Sequence, residues 1–214
     1  MFSLIVSIKD ESKYNSILAP SLDGLHKYLF DGGLPPIQII KVSGDESLGK
    51  NYNDGIAQSI WETKFFIHED VDIQDSEIPL FVRVDALFKL FPKTGLVGLV
   101  GTMENPSDFW WNCKKESIVG HVQCNEQYWM WNKDKPYYDD IQVIDGMFMA
   151  TNKDIFFSED IKGFHFYDSD YSNVIRKCGY EIKVLPHKVY HKASTKDLST
   201  VNASYYNKKW GLNV

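Results

Sequence analysis

The 214-residue sequence is short of cysteine, short of positive charge and without a long apolar run. Each shortage argues against a class of protein. Three cysteines (Cys113, Cys124, Cys178) are an odd number with no CxxC spacing. They predict buried thiols in a reducing compartment, not a disulfide framework or a zinc finger. Lys and Arg number 23 against 29 Asp and Glu, a formal charge of -6. Nucleic acids and anionic membranes need clustered positive charge to displace counterions, so no nucleic-acid partner is expected. No stretch approaches the roughly 18–20 apolar residues that span a bilayer. The N-terminal run 1–7 has no basic segment before it and meets Lys9-Asp10-Glu11 at once. It reads as a strand and not as a signal peptide. A cytoplasmic location is expected, with peripheral membrane association left open. The sequon Asn202-Ala203-Ser204 then carries no meaning.

What is present is a globular balance of 43% apolar and 24% charged residues, enough for one substantial core. Residues 2–8 form a β-branched apolar run, a buried strand. Residues 10–30 have helical spacing (Ile17, Leu18, Leu22, Leu25, Leu29) and stop at Gly32-Gly33 and Pro35-Pro36. Residues 37–42 form a second strand and 48–60 a second helix. Residues 64–67 form a third strand that ends on His68-Glu69-Asp70. This alternation predicts a mostly parallel α/β sheet flanked by helices. A helix over 80–91, a strand over 95–100, a strand over 141–150 interrupted at Asp145-Gly146, a helix over 168–178 and a strand over 181–185 follow. Between them, residues 102–140 are dense in aromatics and turns. One domain is expected over 1–214. Residues 1–100 would be its nucleotide-binding half, 101–191 its acceptor and catalytic half, and 192–214 a tail.

In open α/β sheets ligands bind beyond the carboxyl ends of strands. His68-Glu69-Asp70 stands at such an end, where polar groups should face a cleft because burying them is costly. A divalent ion on a diphosphate takes one or two protein carboxylates, and Asp70 is the best ligand. A solvated acidic turn is the plainer reading. Gly44 to Lys50 matches GxxxxGK after a strand. Asn51 stands where a Ser or Thr should bind Mg²⁺, however, and Asp45 and Glu46 would repel phosphate. Asp168 and Asp170 open a predicted helix, whose positive end keeps carboxylates ionised; helix capping by Asp168 competes with a catalytic role. Asp145 and Gly146 are acceptor-pocket candidates, since glycine lets a ligand approach the backbone. A strand bulge is the alternative there. A zinc set of His165, Cys178, His187 and His191 fits no common spacing. The aromatics between 109 and 138 are either core or faces for stacking on sugars.

In order, Leu4-Ile5-Val6-Ser7, Ile39-Ile40-Lys41-Val42-Ser43-Gly44, Leu48-Gly49-Lys50-Asn51-Tyr52-Asn53-Asp54-Gly55, Phe66-Ile67-His68-Glu69-Asp70-Val71, Asp145-Gly146-Met147-Phe148-Met149-Ala150 and Phe164-His165-Phe166-Tyr167-Asp168-Ser169-Asp170-Tyr171-Ser172 occur along the chain. This set resembles family 2-like glycosyltransferases of the GT-A fold, in particular a small bacterial branch with a His in its acidic motif. The resemblance covers roughly residues 2–191 and continues through Arg176 and Gly179-Tyr180. It implies metal-dependent, inverting transfer of a hexose-type sugar from a nucleotide-diphosphate donor to a hydroxyl in polysaccharide biosynthesis. The acceptor would be a saccharide or a lipid-linked saccharide. The resemblance assigns Ser7, Asn53, His68, Glu69 and Asp70 to the donor, Asp70 and His191 to Mn²⁺ or Mg²⁺, and Asp168 to the base, with Asp170 as its rival. The chain departs from the family pattern at Val42-Ser43-Gly44, which lacks an acid for the nucleotide base. It departs again at Tyr167, where a Glu is usual. These departures keep open a catalytically silent binding protein of the same fold, while the GxxxxGK match at Gly44 to Lys50 keeps open, less strongly, a P-loop protein.

Overall fold

The computed structural model describes residues 1–44, 47–73, 79–124, 127–132, 134–192 and 203–212. Strand β1 (Phe2–Ser7) leads through α1 (Glu11–Lys13), a π-helical turn (Tyr14–Leu18), α2 (Ala19–Ser21) and α3 (Asp23–Asp31) to β2 (Gln38–Val42). Helix α4 (Leu48–Gln58) returns to β3 (Thr63–His68), and the chain turns directly into β4 (Val71–Ile73). Then come α5 (Leu80–Leu90), β5 (Thr94–Gly98), β6 (Val100–Thr102), β7 (Ile118–Cys124) and β8 (Gln127–Trp131). The chain closes with β9 (Val143–Ile144), β10 (Phe148–Thr151), α6 (Tyr167–Lys177), β11 (Glu181–Val184), β12 (Val189–His191) and α7 (Ala203–Trp210).

The main sheet has the order β11-β5-β10-β3-β1-β2. Strand β1 runs parallel to β2 and β3, and β11 runs parallel to β5. Only β10 is antiparallel to its neighbours. The mostly parallel α/β sheet expected from the strand–helix alternation is therefore present. Its inner strands are apolar on both faces because helices cover both. Leu4, Val6, Phe65 and Ile67 pack with Leu80, Phe81, Val84 and Phe88 of α5. Ile5 and Phe66, one residue out of phase, pack with Tyr52 of α4 and Tyr171 of α6. This is the period-two alternation of a strand dividing one sequence between two cores. The Phe65 ring meets Phe2, Phe81 and Phe148 at centroid distances of 5.1, 4.8 and 5.8 Å.

A second sheet, β4-β12-β7-β6-β9 with β8 paired to β7, is absent from the sequence reading. Two runs read as single strands each divide between the sheets. Residues 95–100 become β5 and β6, and residues 141–150 become β9 and β10, with Asp145-Gly146 between them. The helix read over 10–30 is also broken. The N–H of Ala19 bonds to Tyr14, a wide turn just before Pro20, which has no N–H of its own to continue the ladder. Cys113 and Cys124 are half-buried and Cys178 is exposed, so the thiols are less enclosed than expected.

Gly55 shows how closely α4 lies on β1. A Cβ there would come within 2.2 Å of the Ile5 Cγ2. Helix propensity alone would make Gly55→Ala stabilising by about 1 kcal/mol. The contact instead predicts a loss of about 1–3 kcal/mol from overpacking. Urea denaturation decides it: a midpoint at or above that of the parent would contradict this packing.

Candidate functional site

Three elements converge at the carboxyl end of β3. The strand ends on His68, and the turn into β4 presents Asp70. His191 ends β12, which pairs antiparallel with β4 so that His191 lies opposite Val71. The Lys192 N–H bonds to the Asp70 carbonyl at 2.9 Å, which closes this corner. One donor atom from each of His68, Asp70 and His191 lies within 4.8 Å of the others. Among the described residues no other His, Cys, Asp and Glu side chains form such a group. The zinc set of His165, Cys178, His187 and His191 is therefore not assembled. His187 lies instead with its Nδ1 3.1 Å from an Arg83 guanidinium nitrogen.

The electrostatics of the three are linked. His191 Nε2 lies 3.2 Å from Asp70 Oδ1, and Lys13 Nζ lies 3.5 Å from Asp70 Oδ2. Burial alone would raise the Asp70 carboxyl, but the His191 bond and the nearby positive groups bring it down to about 2. Burial would lower His191, yet the bonds to Asp70 and Cys124 raise it to about 10. His68 goes the other way, to about 4, because it is buried and faces His191. Asp70 and His191 are thus a carboxylate and an imidazolium when no metal is held, and His68 is neutral. Two imidazoles and one carboxylate form a mixed nitrogen and oxygen donor set, which a first-row transition ion, Mn²⁺ included, accepts more readily than Mg²⁺ does, since Mg²⁺ prefers oxygen throughout. The residues present fit a divalent ion.

Asp168 lies in the first turn of α6 but does not cap it. The cap position is Phe166, held at φ 60°. Asp168 Oδ2 accepts the Gly146 N–H at 2.9 Å, and Oδ1 accepts the Ser169 N–H at 2.8 Å. The helix end was expected to keep this carboxyl ionised. Burial and the neighbouring Asp145 outweigh those donors and push it up to about 7. Asp145 is itself tied, Oδ2 to the Trp110 indole N–H at 3.0 Å and Oδ1 to the Met147 N–H at 2.7 Å. Gly146 has no room for a side chain, since a Cβ would lie 1.9 Å from the Tyr167 hydroxyl oxygen. That hydroxyl is 2.7 Å from His68 Nε2. Asp145, Gly146, Tyr167 and Asp168 are thereby connected to the strand-end cluster.

Three expected residues point elsewhere. The Asn53 amide clamps Phe157, accepting its N–H at 2.7 Å and donating to its carbonyl at 3.0 Å. Asn51, two residues earlier, faces the strand ends instead and donates to Ser7 Oγ at 3.0 Å and to the Gly44 carbonyl at 3.1 Å. Glu69 Oε2 accepts the Lys9 and Asp10 N–H groups at 2.6 and 2.9 Å, fixing the loop after β1. Asp170, 1% exposed, accepts from the Trp210 indole and from Lys209 Nζ, both at 2.8 Å, and so anchors α7. The GxxxxGK match fails structurally: Ser47 caps α4, and Lys50 pairs with Asp54 at 3.3 Å. Its Asp45 and Glu46, like the Asn202 of the sequon, lie outside the described residues.

Sequence reasoning missed Tyr167 as the partner of His68, Trp110 as the partner of Asp145, and Tyr52. The Tyr52 hydroxyl is buried without a hydrogen-bond partner, and its ring lies 6.0 Å from that of Tyr167. The one available signal was Tyr167 itself, an aromatic where an acid is usual.

A mostly parallel sheet with acidic and imidazole groups at its strand ends defines a GT-A, nucleotide-diphospho-sugar type of fold. The chain belongs to the Glycosyltransferase like family, whose model matches residues 3–211. Solved structures agree on the fold. GalNAc-T7 with UDP, GalNAc and Mn²⁺ is 11% identical with a TM-score of 0.58, over 92% of this chain and 44% of that one. The mannosyltransferase PcManGT from Pyrobaculum calidifontis, in complex with GDP-Man and Mn²⁺, is 11% identical with a TM-score of 0.54, over 92% and 58%. S. aureus TarS is 12% identical with a TM-score of 0.53, over 89% and 60%. This chain thus spans about half the length of these transferases. No curated protein sequence matches it. No described helix is long and apolar enough to cross a membrane.

The two aspartates of α6 are separable by experiment. Asp170→Ala removes the acceptor of the Trp210 indole N–H and one of the two carboxylates that pair with Lys209, Asp160 being the other, and is expected to cost about 1–3 kcal/mol in urea denaturation. Asp168→Asn takes the acceptor from one of the two N–H groups, because the amide NH2 only donates, but it is expected to cost less, since relief of a buried charge beside Asp145 offsets that loss. Equal losses would contradict the assignment of Asp170 to the packing of α7.

Proposed function

We propose that this chain transfers a sugar from a nucleotide-diphosphate donor to an acceptor hydroxyl, with a divalent ion and with inversion. The observation that carries the proposal is the joining of the His68–Asp70–His191 cluster to Asp168 through the 2.7 Å His68–Tyr167 contact. Asp70, His191 and His68 hold the ion, with Mn²⁺ favoured over Mg²⁺ by the two imidazoles. A bound ion would neutralise charge on the departing diphosphate. Ser7 and Asn51, at the ends of β1 and the start of α4, face the donor side. Asn53 and Glu69 support it indirectly, through the segments that they hold.

Asp168 is the base and takes the acceptor proton. Gly146 and Ser169 orient its two oxygens, and each oxygen keeps a lone pair for that proton. Its raised value, about 7, matches a base that must both lose and accept a proton near neutrality. A single base opposite the leaving group implies inversion. Asp145 and Gly146 form the floor on the acceptor side. The whole chain acts as one GT-A domain in the cytoplasm, using a hexose-type donor and a saccharide or lipid-linked saccharide acceptor.

Asp168 must be ionised to act. Transfer is therefore expected to rise about tenfold per pH unit up to about 7 and to level off above it. A kcat profile flat from pH 5 to 8 would remove Asp168 from the role. Asp168→Asn is expected to reduce transfer by about 10²–10⁴-fold while nucleotide binding persists. Asp70→Ala is expected to abolish the Mn²⁺-dependent part of nucleotide binding by calorimetry; unchanged binding would count against the metal site.

A further inference from the structure

Trp129 is 43% exposed at the edge of the second sheet, an unusual position for an indole. It stacks on Trp131 at 5.8 Å and 10°, two residues along β8 and therefore on the same face. Trp131, half-buried, meets the edge of Trp110 at 5.9 Å and 83°. Trp110 is 6% exposed and donates its indole N–H to Asp145. Asp145 adjoins Gly146, whose N–H holds Asp168. A row of three indoles thus runs from beneath the candidate base out to the protein surface.

We infer that this row is the acceptor subsite for a saccharide chain of several units, with the sugar next to the reacting hydroxyl near Asp168 and a more distant ring stacked on Trp129. The C–H face of a sugar ring is apolar and slightly positive, and it complements the negative face of an indole. Few polar contacts are needed so far from the chemistry, where the task is to hold an extended chain in register. A membrane would also accept exposed indoles, but the chain carries a net charge of -6, and an anionic surface would repel it. The inference rests on Asp168 being the base. It adds that the acceptor is oligomeric, because Trp131, Trp110 and Asp145 intervene in the row of contacts between Trp129 and Asp168.

The test uses the full chain and its Trp129→Ala and Trp129→Phe variants. Each is applied, with UDP and Mn²⁺, to an array of immobilised hexose and N-acetylhexosamine oligosaccharides of graded length. Trp129→Ala is expected to lose about tenfold in affinity for the longer chains and nothing for the shortest, with Trp129→Phe in between. Its melting temperature should fall only slightly, since the ring is 43% exposed and its stack on Trp131 lies at the sheet edge. Equal retention by the parent and Trp129→Ala, or no retention by the parent, overturns the subsite. So does a variant that loses binding to phosphatidylglycerol vesicles instead of glycans. Nucleotide-sugar binding is measured on the same samples. Its absence from the parent sinks the transferase reading, whereas its presence with unchanged glycan retention sinks the subsite alone.

Discussion

The contact between Asp70 and His191 holds the two sheets to one site. Asp70 leaves the main sheet in the turn after β3, and His191 belongs to the second sheet, 121 residues later in sequence. The β4–β12 ladder sets their register, and the parallel pairing of β12 with β7 places Cys124 beside His191. A buried carboxylate and a half-buried imidazolium are each costly alone, and pairing offsets that cost. The same two groups belong to the cluster that could hold a divalent ion, whose binding would displace the proton from His191.

Helix α6 depends on a different kind of support. Trp111, Phe109, Phe166 and Tyr206 form a continuous stack at 4.4, 5.1 and 4.9 Å. The stack holds Phe166 in the left-handed region, which costs a bulky residue on the order of 1–3 kcal/mol. Asp168 begins two residues later, so its direction depends on that backbone turn. Helix α7 contributes Tyr206 to the stack and, through Lys209 and Trp210, clasps Asp170. The described part of the tail expected after residue 191 therefore helps to hold α6 in place.

The first half of the fold was legible because β1, β2 and β3 are bounded by turn residues and separated by periodic helices. The second sheet was not. Residues 95–100 pass from one sheet to the other with only Leu99 between β5 and β6, and Gly98 at the crossing is not distinguished from Gly95 and Gly101, which lie inside the two strands. At the site, the strand-end position of Asp70 and the late His191 were readable. The helix phases were not. Asn51 and Asn53, like Asp168 and Asp170, stand two residues apart on a helix and so point in nearly opposite directions. Composition cannot say which member of each pair faces the cleft. That depends on which side of the helix is buried: α4 turns Asn53 toward Phe157, and α6 turns Asp170 toward α7. The partners of Glu69 were hidden for a related reason, because its carboxylate accepts the Lys9 and Asp10 N–H groups of the loop after β1, which lie 60 and 59 residues away in sequence.

Gly146 and Tyr167 bear on how such a site could diverge. The hydroxyl of Tyr167 occupies the space that a side chain at 146 would need, and from there it reaches His68. The two positions behave as one steric unit, although 21 residues separate them. A lineage that gained any side chain at 146 would first have to shorten or turn residue 167, and that step would free the imidazole at the strand end. Drift at an apparently bland glycine would thus reach the corner of His68, Asp70 and His191 without altering any of those three residues.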